Sequence, residues 1–153
     1  MDAEQAPEPD VTEWLNTAAL TLADLRGRVV VLEAFQMLCP GCVSHALPQA
    51  QRVADTFPAA DVAVVGLHTV FEHHDAMTPT ALRAFVHEYR LRFPIGIDRH
   101  ADGDLSPVTF RRYGMQGTPT TVLIDRDGRV RSRSFGAVGD LALGAHIARI
   151  AAE

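Results

Sequence analysis

The stretch RVVVLEAFQMLCPGCVSHALPQAQRVADTF, Arg28 to Phe57, decides the fold. Its first part, Val29 to Phe35, is apolar apart from Glu33 and rich in β-branched residues. Such a run reads as a strand buried on both faces of a parallel sheet. Cys39-Pro40-Gly41-Cys42 follows where strand should hand over to helix. Beyond it Val43, Ala46, Leu47, Ala50, Val53, Ala54 and Phe57 recur at helical spacing, which gives that helix one apolar face. Strand, C-x-x-C and amphipathic helix together suit thiol chemistry.

The physical reason lies in the helix N-terminus, where unpaired N–H groups and a partial positive charge favour a thiolate. Thiolate is the reactive form of cysteine. Cys39 fits the cap position and Pro40 the first helical position, where a missing N–H costs nothing. Cys42 then falls in the first turn, within reach of a disulfide to Cys39. That order makes Cys39 the exposed attacking thiol and Cys42 the resolving one. A structural bridge across so short a loop would stabilise little. A zinc site normally wants a second ligand pair, and these are the only two cysteines. His45 extends the run to C-x-x-C-x-x-H, so a metal-binding alternative stays open on Cys39, Cys42 and a histidine such as His45 or His68.

Three features taken together resemble a known family. They are C-P-G-C after a buried strand, Gly117-Thr118-Pro119-Thr120 ahead of a second apolar strand, and Leu22-Ala23-Asp24-Leu25-Arg26-Gly27 near the start. With Trp14-Leu15-Asn16, the match spans Trp14 to Ala151 and is to thioredoxin-fold proteins, specifically the TlpA-like and redoxin thiol-disulfide oxidoreductases. The resemblance implies an α/β fold, a central mixed sheet flanked by helices, with an N-terminal extension. It implies a cis Thr118–Pro119 bond facing the cysteines, with the Thr118 backbone open to pair with a substrate peptide. Leu38, Pro40, Gly41, Thr118 and Pro119 then form the substrate-facing surface. Glu33, six residues before Cys39, falls where the fold carries a buried acid. Burial raises a carboxylate pKa, so Glu33 is expected to take the proton of Cys42. Two departures concern recognition. Leu38 replaces the family's tryptophan, and Pro48 comes six residues after Cys42 where five is usual. One extra residue turns a helix by about 100°, which predicts a bulge or a shifted kink.

The remaining chain fits one domain over 13–153, preceded by a flexible, acidic, proline-containing tail over 1–12. A length of 153 residues suits a single core, and a net charge of −5 argues against nucleic acid as a generic partner. No apolar run reaches the ~20 residues of a membrane span. The start lacks a basic, apolar leader, which points to a cytoplasmic protein. Val62 to His68 reads as the next parallel strand, Thr78-Pro79 opens a helix with Leu82, Phe85, Val86 and Tyr89 inward, and Pro107 to Tyr113 reads as a short helix. Thr120 to Ile124 and Arg129 to Phe135 flank an Asp-Arg-Asp-Gly hairpin turn, and Asp140 is placed as the cap of the last helix. His68, His73 and His74 read as solvated loop histidines, although the resemblance, through Gly66-Leu67-His68 in the family's G-x-H loop, implies that His68 lines the site. The expected activity is disulfide exchange between Cys39-Cys42 and a disulfide- or dithiol-bearing protein, with an electron donor or acceptor, no cofactor, no bound metal and a monomeric chain. The competing readings are a peroxiredoxin-like thiol peroxidase, disfavoured because Gln36 occupies the position of the threonine in T-x-x-C, and a copper carrier.

Overall fold

The computed structural model describes residues 4–153. Six strands form one mixed sheet: β1 (Val11–Leu15), β2 (Val29–Phe35), β3 (Val62–His68), β4 (Ile95–Asp98), β5 (Thr120–Ile124) and β6 (Val130–Phe135), in the spatial order β1-β4-β3-β2-β5-β6. All seven residues of β2 are buried. It runs parallel to β3, from Val29 opposite Val62 to Phe35 opposite His68, and antiparallel to β5 on its other edge. A strand paired on both edges and covered on both faces has no place for a charged, solvated residue, which is why its sequence does not alternate.

Odd and even positions of β2 serve two cores. Val29, Val31 and Phe35 pack with Leu47, Ala50 and Val53 of α1 (Leu47–Thr56), Leu82 and Val86 of α2 (Pro79–Glu88), and buried residues of the last helix, among them Leu143, Ile147 and Ile150. Val30, Leu32 and Ala34 pack instead with Leu22, Leu25, Phe110 and Tyr113. The short helix α3 (Val108–Arg112) therefore lies on the face opposite α1 and α4 (Asp140–Ala151).

The extra residue before Pro48 has a visible consequence. A π-turn over Cys42–Ala46 runs directly into α1, and the Leu47 N–H bonds to the Cys42 carbonyl five residues back. A π-turn is how a helix absorbs one inserted residue.

Four expectations need correction. The flexible tail over 1–12 is not what the described part of that segment looks like; residues 1–3 lie outside the described residues. Gln5 bridges Arg129, the Ala6 N–H bonds Gly128 O at 2.8 Å, and Ala6 is buried. The Glu8 carboxylate accepts from Leu22 N–H at 2.7 Å and the Tyr113 hydroxyl donates to Pro7 O at 2.6 Å. Composition pointed to a tail because the segment has almost no apolar surface of its own, yet its backbone supplies partners that the folded body needs. Second, Gly139 and not Asp140 stands at the cap of α4, and the Asp140 carboxylate instead accepts from Gln49 and Arg52. Third, Tyr89 lies beyond the end of α2 and is 56% exposed, stacked on Phe85. Fourth, Ala54 lies on the exposed side of α1, because the buried face of that helix is centred on Leu47, Gln49, Ala50 and Val53 and so takes in Gln49 in place of Ala54.

The Tyr113 bond measures how firmly the N-terminal segment is held. Tyr113→Phe is expected to lower unfolding free energy by about 1 kcal/mol, the usual net worth of one hydrogen bond. Urea unfolding of the two proteins checks it; equal midpoints would mean that the segment is not tied through this contact.

Candidate active site

The end of β2 delivers Gln36-Met37-Leu38-Cys39 to the edge where β3 and β5 also terminate. Cys39 N–H donates to Gln36 O at 3.1 Å, closing a tight turn, and Val43 N–H then bonds back to Cys39 O at 3.1 Å, which starts the helix. Both cysteines are free thiols; Cys39 is half-buried and Cys42 fully buried. Cys42 N–H points at Cys39 Sγ, 3.4 Å away. This is the helix-terminus donor expected from the C-x-x-C spacing.

Across from the thiols stands the Thr118–Pro119 loop, whose peptide bond is cis. Cys39 Sγ donates to the Thr118 carbonyl at 3.5 Å. An added Cβ on Gly41 would lie 3.5 Å from Pro119 Cδ, so the two loops meet at van der Waals distance. Leu38 is 55% exposed, and Pro40 and Gly41 are exposed beside it. On the far side Phe135 is 60% exposed and packs over Gly117, while Gly136 N–H holds Pro119 O at 2.9 Å. The structure thus brings together Leu38, Cys39, Pro40, Gly41, Cys42, Thr118 and Pro119.

Glu33 is 2% exposed and, by strand alternation, faces the same core as Phe35 and Cys42. Thr121 Oγ1 donates to its Oε2 at 2.7 Å, and its buried Oε1 has no hydrogen-bond partner among the described residues. Burial pushes its pKa to about 8, with the Thr121 bond pulling weakly the other way. Burial likewise pushes the Cys42 thiol well above the ordinary range, and sharing a hydrogen bond with Cys39 adds to the rise.

His68 departs from the expected solvated loop histidine. It is 1% exposed, rests against the Phe35 ring at 5.1 Å, and its Nε2 accepts the Met37 N–H at 3.2 Å. Desolvation lowers its pKa to about 4, so it is neutral and holds up the loop before Cys39. His45 bonds Val138 O at 2.8 Å and His74 bonds Leu105 O at 3.1 Å. Among the described residues no three His, Cys, Asp or Glu side chains gather at metal-ligand spacing. Gln36 is the residue that sequence reading underused. It is buried at the strand end and bonds both Thr118 and Phe71; its signal was a bulky polar residue closing an apolar strand.

Fold and facing thiol pair define the class: a thioredoxin-fold protein with a C-x-x-C dithiol opposite a cis-proline. The chain belongs to the AhpC/TSA family, whose profile matches residues 3–133. A solved thioredoxin-like superfamily protein is 56% identical, with a TM-score of 0.96 over 99% of this chain and 98% of that one. A thiol-disulfide isomerase from Corynebacterium glutamicum is 47% identical, with a TM-score of 0.93 over 97% of each chain. The thiol-disulfide oxidoreductase ResA of Bacillus thuringiensis (strain Al Hakam) is 29% identical over 134 residues, 87% of this chain and 69% of that protein.

The Glu33 shift carries a stability consequence with a definite sign. A carboxyl whose folded pKa, about 8, exceeds its unfolded value of 4.5 binds more protons in the native state between those limits. Its contribution is whole below pH 4.5 and is lost as pH rises through about 8. Glu33→Gln should therefore stabilise the protein by on the order of a few kcal/mol at pH 9 and change it little at pH 4. Chemical denaturation across that pH range is the check; a difference independent of pH would show that Glu33 is not held protonated.

Proposed function

We propose that Cys39 is the attacking thiol and Cys42 the resolving thiol of this protein, which is a thiol-disulfide oxidoreductase. The observation that carries the assignment is the half-buried Cys39 sulfur, 3.5 Å from the Thr118 carbonyl, with Cys42 sealed behind it. A partner disulfide approaching over Leu38, Pro40 and Gly41 meets Cys39 first. Cys39 thiolate forms a bond to one partner sulfur and expels the other as thiolate. Cys42 then gives up its proton, attacks Cys39 Sγ, and releases the second partner sulfur. Two electrons pass to the partner, and a Cys39–Cys42 disulfide remains for an electron donor to reduce.

Glu33 is assigned the proton exchange with Cys42. It lies on the same side of the sheet, it titrates near neutrality at about 8, and it keeps Oε1 free of partners among the described residues. The substrate is a protein disulfide, read through the half-buried Thr118 beside Cys39 and the exposed apolar flank at Leu38. The working unit of this reading is a single chain. A reducing compartment such as the cytoplasm suits this pair, since a dithiol catalyst needs no permanent bridge. Among the described residues no helix is long and apolar enough to cross a membrane. The peroxidase reading gains nothing from Gln36, whose side chain is engaged by Thr118 and Phe71.

The deciding experiment combines a redox titration in glutathione buffers with two variants. The wild-type pair should titrate as one reversible two-electron couple. Cys42→Ser should accumulate a mixed disulfide with a protein substrate, and Cys39→Ser should form none. Trapping by Cys39→Ser instead would reverse the two roles, and a wild-type pair that never forms a reversible disulfide would end the assignment.

A further inference from the structure

His68 closes β3 with a ring that has spent only one of its two nitrogens. Nε2 accepts the Met37 N–H at 3.2 Å, so it carries no proton, and the proton of the neutral ring sits on Nδ1. Among the described residues Nδ1 has no hydrogen-bond partner, although the residue is 1% exposed. A buried donor left unpaired is costly, and such groups are few in a folded chain. Nδ1 is not sealed in the core either, because His68 forms part of the floor of a cavity of about 420 Å³.

The cavity lies between β4 and the start of α2 and opens to solvent past Thr12 and Thr78, both exposed. Buried Val70 and Met77 and half-buried Ile97 give it apolar walls. Thr78 caps α2 by accepting from Ala81 N–H at 3.2 Å, which places the positive end of that helix dipole on the cavity wall. Arg99 stands at the rim, where Asp10 accepts from its Nε at 2.9 Å. Asp98 also borders the space, but its oxygens already accept from Thr69 Oγ1 at 3.0 Å, Thr109 N–H at 2.9 Å and Phe110 N–H at 3.0 Å. It therefore offers a cation little, and among the described residues no three metal-ligating side chains gather. His74 and His100, with ring centroids 5.3 Å apart, are pinned through Nε2 to Leu105 O at 3.1 Å and Val70 O at 2.6 Å. The walls are thus held by contacts within the fold, as in a preformed small-molecule site. A donor at the floor, a positive helix end and apolar sides suit an anion carried on a small apolar body.

The geometry points to a binding site for a small apolar carboxylate, one oxygen of which accepts from His68 Nδ1–H while the apolar part fills the space between Val70, Met77 and Ile97. The same ring holds Met37, two residues before Cys39, so occupancy is felt at the thiol loop. An imidazole that donates one N–H to a carboxylate becomes more basic at its other nitrogen, which tightens the Met37 bond. The site does not depend on the roles assigned to Cys39 and Cys42.

The test titrates the reduced full chain with benzoate and, separately, with benzamide and with acetate, following the His68 Nδ1–H and Met37 amide signals by NMR. Benzoate should move both signals with one saturable midpoint, and the His68 proton should move downfield as a charge-assisted hydrogen bond forms. Benzamide has the shape without the charge, and acetate has the charge without the apolar body. Each should need about tenfold more ligand to reach its midpoint. Ile97→Phe narrows the cavity and Thr12→Trp covers its rim; each should weaken benzoate about tenfold or more, and either variant suffices if the other fails to fold. The proposal is overturned by a His68 signal that does not saturate, by benzamide or acetate matching benzoate, or by an unchanged midpoint in the folded variants. A Met37 amide that stays still while His68 saturates would break the link to the thiol loop. None of these readouts uses disulfide exchange, so failure here leaves the thiol assignment standing.

Discussion

Strand β2 is hydrogen-bonded along both edges, to β3 in parallel and to β5 in antiparallel fashion, and every feature of the site follows from that constraint. The parallel partner ends at His68, so His68 comes to support the Met37 backbone. The antiparallel partner begins at Thr120, so the preceding cis-proline loop arrives against Cys39 from a distance of 79 residues in the chain. Neither contact is local. Each exists because a central strand cannot leave its edges unpaired in a buried sheet.

The same burial sets the electrostatics. Glu33, Cys42 and His68 are acid, thiol and base, and desolvation moves each of them toward its neutral form. Around neutral pH the interior beneath the thiols therefore carries little charge, although it is rich in titratable groups. That is the cheap state for a buried strand, since an unpaired charge there would cost far more than a protonated carboxyl. Charge appears only when Cys42 must ionise, and a buried carboxyl that titrates near 8 lies on the same side of the sheet.

How much of this could be read in the sequence depended on whether the signal was local. Val29–Phe35, Val62–His68 and Thr120–Ile124 stand at the expected positions because unbroken β-branched runs permit few other structures. C-P-G-C and T-P were legible for the same reason, as short motifs with backbone consequences. The burial of His68 was not legible because a histidine at a strand end looks the same whether water or a phenylalanine ring covers it. The segment 4–10 was missed because its hold on the body runs through backbone groups and through Tyr113, Arg112 and Thr109, distant partners that composition cannot reveal. The arginines of β6 show the converse. Arg131 and Arg133 alternate as an exposed edge should, yet Arg131 pairs with Asp125 and Glu153 and Arg133 bonds Tyr113 O, so they are engaged within the fold.

The π-turn explains how the thiol end and the sheet end of one helix satisfy different demands. Its first turn is fixed by Cys39 and Cys42, which must face the cis-proline loop. Its later turns are fixed by Leu47, Ala50 and Val53, which must face the sheet. With one extra residue between these anchors, an unbroken α-helix would satisfy one set and rotate the other by about 100°. Placing the insertion at Cys42–Ala46 leaves both anchors in register and brings Pro48 into the first turn of α1. The distortion stays next to the thiols because that is where the helix still has unpaired end groups and the least to lose by loosening its hydrogen-bond ladder.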